Sequence, residues 1–201
     1  MTVRSASVDD LDGIVEIHGL AFPGFFMTRM GSSFLRAYYA LVLEYDGGIV
    51  LVAENDDRPL GFVAGFENPG RFYAHMSWRK QRMVWPILKG LIRRPALVSR
   101  IVFNRKRVEA MGVSGAYDTT LAELSSIGVD SRVASRGIGG ALLEAFLTSA
   151  AAAGVKQVCL TTAAQGNDTV NTFYKKHGFK LHGSISYGCE REMNEYRIDL
   201  S

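Results

Sequence analysis

The chain has 201 residues, of which 47% are apolar, and a formal net charge of +3. That length can bury one substantial core, with room for an insertion. No apolar run reaches bilayer-spanning length, the opening Met-Thr-Val-Arg-Ser-Ala-Ser has no signal-type apolar region, and two cysteines make no disulfide framework, so the expectation is a cytoplasmic enzyme.

Thr2 to Ala6 alternate and open a strand. Ser7 can cap a helix that begins near Val8, with Leu11, Ile14, Val15 and Ile17 on one face. Pro23-Gly24 interrupts it. The segment Phe22–Met27 joins this helix to a second one and either lines a ligand pocket or belongs to the core. The second helix runs from Ser32 to Leu43, with Phe34, Leu35, Tyr38 and Leu41 inward. Gly48–Glu54 and Leu60–Glu67 read as strands joined by the hairpin-like turn Asn-Asp-Asp-Arg-Pro.

Residues 68–110 read as a basic, helical insertion. Between Arg71 and Arg107 there are eleven Lys or Arg and no Asp or Glu, while the rest of the chain holds twelve basic and twenty acidic residues. Met83, Val84, Trp85, Ile87, Leu88, Leu91 and Ile92 are interleaved, so helices here are amphipathic, broken at Pro86 and Pro95. Such a face either is solvated or meets a polyanion: a phosphate-bearing acceptor or an anionic membrane surface. No nucleic-acid motif accompanies the charge.

Leu124–Val129 reads as a strand, and Glu123 begins it. A polar loop, Gly137-Ile138-Gly139-Gly140 and a helix to about Ala152 follow. First-turn amides of a helix have no internal partner, and the macrodipole places about half a positive charge there. Strand, glycine loop and helix therefore suit a phosphate-bearing ligand; the alternative is a βα turn whose glycines only permit tight packing. The spacing is neither a Walker loop nor a dinucleotide fingerprint. Next come a strand Val155–Thr161, a helix over 168–177, and a strand pair near Phe179–Tyr187 and Glu192–Leu200. Neither Cys159 nor Cys189 has neighbours at metal-ligand spacing, so no metal is predicted.

Two segments carry a resemblance. Val129, Gly137 and Gly139 fit one motif, and Asn167, Val170, Phe173, Tyr174, Gly178 and Phe179 fit a second. Together they resemble the GNAT superfamily of acetyl-CoA-dependent N-acetyltransferases. The likeness is close over residues 117–187, loose over the first 67, and absent over 68–110. It implies one α/β domain over 1–201, with a mixed, mostly antiparallel central sheet flanked by helices.

The resemblance also implies roles. The amides of Ile127 and Val129 hold the pantetheine arm of acetyl-CoA. Arg136, Gly137, Ile138, Gly139 and Gly140 cradle its diphosphate. Asn167 contacts the cofactor or caps its helix, with Asp168 as the competing cap. Tyr174 is either the general acid that protonates the departing sulfur or a tyrosine that fills space and hydrogen-bonds structurally, and Glu123 is either the base or an ordinary strand-edge carboxylate. His18 and His75 are weaker base candidates. Ala134 departs from the motif, which usually has Arg or Gln there; Arg132 or Arg136 would supply the missing charge. The acceptor is a small primary amine, with a nucleotide-linked amino sugar favoured by the basic insertion. Homodimers are common among relatives. The competing class is a non-catalytic acyl-CoA sensor, or a protein docking on membrane or nucleic acid through its basic region.

Overall fold

The computed structural model describes residues 1–56, 58–79, 118–133, 137–187 and 191–200. In chain order these form β1 (Thr2–Ser5), α1 (Leu11–Ala21), α2 (Phe26–Met30), α3 (Ser32–Glu44), β2 (Gly48–Asn55), β3 (Arg58–Glu67), α4 (Pro69–Trp78), β4 (Leu121–Val129), α5 (Ile138–Ala152), β5 (Gln157–Ala163), α6 (Asp168–Lys176), β6 (Lys180–Tyr187) and β7 (Arg191–Asp199). One seven-stranded sheet has the order β1-β2-β3-β4-β5-β7-β6. Only the β4–β5 pairing is parallel.

β3 explains the layering. Its run Gly61–Phe66 is almost continuously apolar, as expected of a strand covered on both faces. Phe62, Ala64 and Phe66 join a core with Ile14, Leu35, Tyr39 and Phe72 from α1, α3 and α4. Val63 joins the other core, with Leu142, Leu143 and Phe146 from α5 and Tyr174 from α6. α5 can approach because β3 has no side chain at Gly65. A Cβ there would stand 2.3 Å from the Glu123 carbonyl oxygen and 2.6 Å from the Phe146 ring. Gly65→Ala should therefore cost about 1–3 kcal/mol through overpacking. Gly139→Ala, whose methyl would meet the Phe173 ring and Val129 Cγ2 at 3.8 Å, an ordinary contact distance, is the control. Thermal melting of both variants checks this; equal midpoints would contradict the packing argument.

Several expected boundaries move. Val8–Asp10 form a 3-10 turn closed by a reciprocal Ser7–Asp10 capping box, and α1 proper begins at Leu11. The Phe22–Met27 junction contains part of a short helix, α2. β5 starts at Gln157 rather than Val155, because the amides of Lys156 and Gln157 both donate to the Thr120 carbonyl, at 2.7 and 3.0 Å, and align the strand there. The segment after β3 opens as α4, started by Pro69 and by the Asn68 side chain, which accepts from the Arg71 amide. Residues 80–110, and with them most of the expected basic helices, lie outside the described residues.

Candidate active site

β4 and β5 run side by side for only three residue pairs, ending at Glu123↔Cys159. β4 then continues to Val129 and β5 to Ala163 without further pairing among the described residues. On its other edge β4 stays paired with β3 from Ala122 to Val129. β5 stays paired with β7 along its whole length. The sheet thus opens as a wedge between two parallel strands.

A register shift widens the departure. Ala64 pairs with Ser126 and Gly65 with Leu124, which leaves Ser125 as the extra residue of a bulge. The consequence is visible in the side chains. Ala122, Leu124, Ile127 and Val129 pack in the α5 core. Ser125 and Ser126, though adjacent, both face α3: Ser125 Oγ meets the Tyr38 hydroxyl, and Ser126 bonds Tyr39.

α5 and α6 follow β4 and β5 directly, so both helix N-termini stand at the mouth of the wedge. Gly137 occupies the cap position of α5 at φ 79°, a left-handed conformation that favours glycine, and no side chain caps the helix. No described atom lies within 4 Å of where a Cβ of Gly137 would be. Among the described residues no side chain accepts from the first-turn amides in the manner of a cap. α6 closes against the same turn. Phe173 lies 3.8 Å from a Cβ position at Gly139, and His177 Nε2 lies 3.3 Å from one at Gly140. A side chain at Gly140 would therefore press on the His177 ring. An acyl-CoA needs amide donors for its diphosphate and a free strand edge for its amide-bearing arm; the uncapped turn and the wedge fit both requirements.

Asn167 takes the cap position of α6, but its side chain does not cap. It donates instead to Thr162 Oγ1 at 2.8 Å and to the Ala163 carbonyl at 3.3 Å, tying the helix to the end of β5. Asp168 is the first helical residue. One turn on, buried Asn171 donates to the carbonyls of Ala163 and Asn167 and accepts from Asn194 and Tyr196. Sequence reading passed over Asn171, although its i+4 spacing from Asn167 places both on one helix face.

Tyr174 is only 5% exposed and packs against Phe173, Phe179 and Tyr196. Its hydroxyl has no hydrogen-bond partner among the described residues, and burial pushes its pKa well above the usual phenol range. Glu123 is also buried and is no strand-edge carboxylate. Tyr73 of α4 donates to both its oxygens, at 3.0 and 3.1 Å. Glu123 therefore lies on the α3–α4 side of the sheet and Tyr174 on the α5–α6 side.

The remaining candidates are placed as follows. His18 sits in the helical core between Phe22, Tyr39 and Phe62, with Nδ1 2.6 Å from the Tyr39 hydroxyl. Burial pulls its pKa down to about 4, so it is neutral near pH 7. His75 packs beside the Tyr45 ring. Arg132 is engaged at both ends of its reach. It bonds buried Asp130 at 2.8 Å, holding that carboxyl below the usual range, and approaches Glu16 at 3.4 Å. These contacts brace the turn after β4. Ala134, Arg136 and Cys189 lie outside the described residues. Among the described residues no three His, Cys, Asp or Glu are grouped to hold a metal ion, and no helix is long and apolar enough to cross a membrane.

A mixed sheet opening between two parallel strands, with an uncapped glycine-led helix at the mouth, defines an acyl-CoA-dependent acyltransferase. The chain belongs to the acetyltransferase (GNAT) family, whose model matches residues 11–179. Acetyl-CoA is the family's acyl donor. Solved structures agree in fold. Ard1 from Thermoplasma volcanium superposes with a TM-score of 0.64 at 17% identity, covering 100% of this chain and 97% of its own. Ribosomal-protein-alanine N-acetyltransferase from Brucella melitensis gives 0.65 at 16% identity, with 100% of both chains covered. The protein yncA from Salmonella typhimurium, determined with its cofactor acetyl-CoA, gives 0.63 at 15% identity, covering 100% of this chain and 94% of its own. Comparison with curated proteins gave no match.

Proposed function

We propose that the protein transfers acetyl directly from acetyl-CoA to a primary amine of a small acceptor, with Glu123 as base and Tyr174 as acid. The observation that carries this reading is the parting of β4 from β5 just beyond Glu123, with Glu123 and Tyr174 on opposite sides of the sheet. Bound acetyl-CoA supplies a thioester whose carbonyl carbon can accept an amine nitrogen. The amides of Ile127 and Val129, on the strand that leaves its neighbour, hold the pantetheine arm. The first turn of α5, from Gly137 to Gly140, holds the diphosphate together with Arg136, and Asn167 fixes the β5 side of the mouth.

Glu123 takes the proton that the amine must lose, directly or through a water. The C–N bond forms as the C–S bond breaks. Tyr174 gives its phenolic proton to the departing sulfur. A hydroxyl on a buried ring, with no acceptor among the described residues, is suited to that task, because no described group claims its proton. Glu123 releases its proton to solvent and Tyr174 recovers one from it, which restores both groups for the next cycle.

The acceptor is proposed to be anionic, a nucleotide-linked amino sugar before other classes. What supports this is the run from Arg71 to Arg107, eleven cations without an acid. The acceptor of the Brucella protein, at 16% identity, does not transfer to this chain. Turnover of acetyl-CoA against free amino sugars, nucleotide-linked amino sugars and peptide N-termini tests the reading. Acetyl-CoA binding without turnover of any amine would favour the sensor instead. Replacing Arg93 and Arg94 with Gln is expected to raise the acceptor KM several-fold, leave acetyl-CoA affinity unchanged and flatten the salt dependence of acceptor capture. If acceptor kinetics hold but binding to anionic vesicles falls, those arginines face a membrane rather than the acceptor.

A further inference from the structure

Each polar residue on the inner side of β4 meets a tyrosine. Tyr38 reaches Ser125, Tyr39 reaches Ser126, and Tyr73 reaches Glu123. The third pair differs in kind, because its acceptor is a carboxylate. It also differs in origin. Tyr73 belongs to α4, the helix inserted between β3 and β4, where family likeness gives no guidance.

Several contacts fix Tyr73 in place. The Asn68 amide donates to the Leu121 carbonyl at 2.8 Å, which ties the start of α4 to the start of β4. Phe72 is fully buried and stacks on Phe66 at a centroid distance of 3.8 Å. The Tyr73 ring meets the edges of Phe66 and Phe72, at 5.6 Å each. From this anchored helix the phenol donates at nearly equal distances to both carboxylate oxygens, 3.0 and 3.1 Å. One proton shared so evenly sets the hydroxyl near the axis of the carboxylate. It resists rotation of the group and holds it toward α4.

We infer that Tyr73 is a positioning residue for the acetyl transfer. It holds the Glu123 carboxylate at the last β4–β5 pair, where the strands part and the amine must lose its proton. This inference rests on the proposed role of Glu123 as base. Tyr73 itself touches no reacting atom and acts through Glu123.

A kinetic cycle of Tyr73→Phe, Glu123→Gln and the double variant tests it, assayed with acetyl-CoA and the amine turned over fastest in the panel above. Phe keeps the ring and its packing, and melting curves verify that each variant is folded. Tyr73→Phe should lower kcat about tenfold with the acetyl-CoA KM unchanged. In the Glu123→Gln background the same change should cost less than about twofold, because the group it positions no longer takes a proton. Two results overturn the inference while leaving the base reading standing: full activity of Tyr73→Phe beside a crippled Glu123→Gln, or an equal Tyr73→Phe loss in both backgrounds. Full activity of Glu123→Gln overturns the base reading itself, and the positioning role with it.

Discussion

Gly137→Glu is expected to weaken acetyl-CoA binding by about a hundredfold or more while the protein still folds. Two effects combine at this position. Gly137 is left-handed at φ 79°, so any L side chain there is strained, by about 1–2 kcal/mol. No described atom occupies the space a Cβ would enter, so a side chain projects into the mouth that the diphosphate is proposed to fill. A carboxylate about 4 Å from a phosphate charge costs on the order of 4 kcal/mol at an effective dielectric of 20, and solvent screening lowers that figure. Gly137→Asn separates the effects. Asn tolerates the left-handed conformation and adds bulk without charge, so it should weaken binding by a smaller factor. Calorimetric titration with acetyl-CoA reads both variants, with melting curves to establish folding. Undiminished affinity in a folded Gly137→Glu would remove the diphosphate from the α5 terminus.

The parts of this site that were legible in the sequence are those written locally. The strand before Val129, the glycines and the helix after them are consecutive, so apolar periodicity and glycine spacing suffice to order them. The second motif, from Asn167 to Phe179, is equally local. Other features depend on what lies across a strand. The bulge at Ser125 arises from register with Ala64 and Gly65, and nothing in the pair Ser125-Ser126 announces that both face one side. Tyr73 and Glu123 are fifty residues apart. Tyr73 was also hidden by its setting, because the segment after Glu67 stood out for its charge. That contrast drew attention from Phe72, which anchors α4 in the core. The cap of α6 shows a different limit. Asn167 and Asp168 are both good capping residues, and sequence left them level. Backbone geometry places Asn167 at the cap, yet its amide is engaged by Thr162 and Ala163, so the position and the hydrogen bond separate.

Tyr174→Phe is the sharpest test of the chemistry, because the change should cost turnover and almost nothing else. The hydroxyl has no hydrogen-bond partner among the described residues, so removing it breaks no bond of the fold. The ring contacts with Phe173, Phe179 and Tyr196 survive in Phe. The melting temperature should therefore move little. Loss of a positioned general acid typically lowers turnover by about a hundredfold or more. Acetyl-CoA affinity should stay close to that of the unaltered protein, since a proton delivered to the leaving sulfur matters only as the C–S bond breaks. The pH dependence gives a second reading. Burial raises the Tyr174 pKa, so the phenol remains a donor throughout the physiological range and past the ordinary phenol value of about 10. Any alkaline limb set by Tyr174 then lies above that value in the unaltered enzyme and is missing from the Phe variant. Steady-state kinetics across pH, beside calorimetry, decide the matter. If Phe matches Tyr in kcat, Tyr174 fills the core beside Tyr196, and water protonates the thiolate.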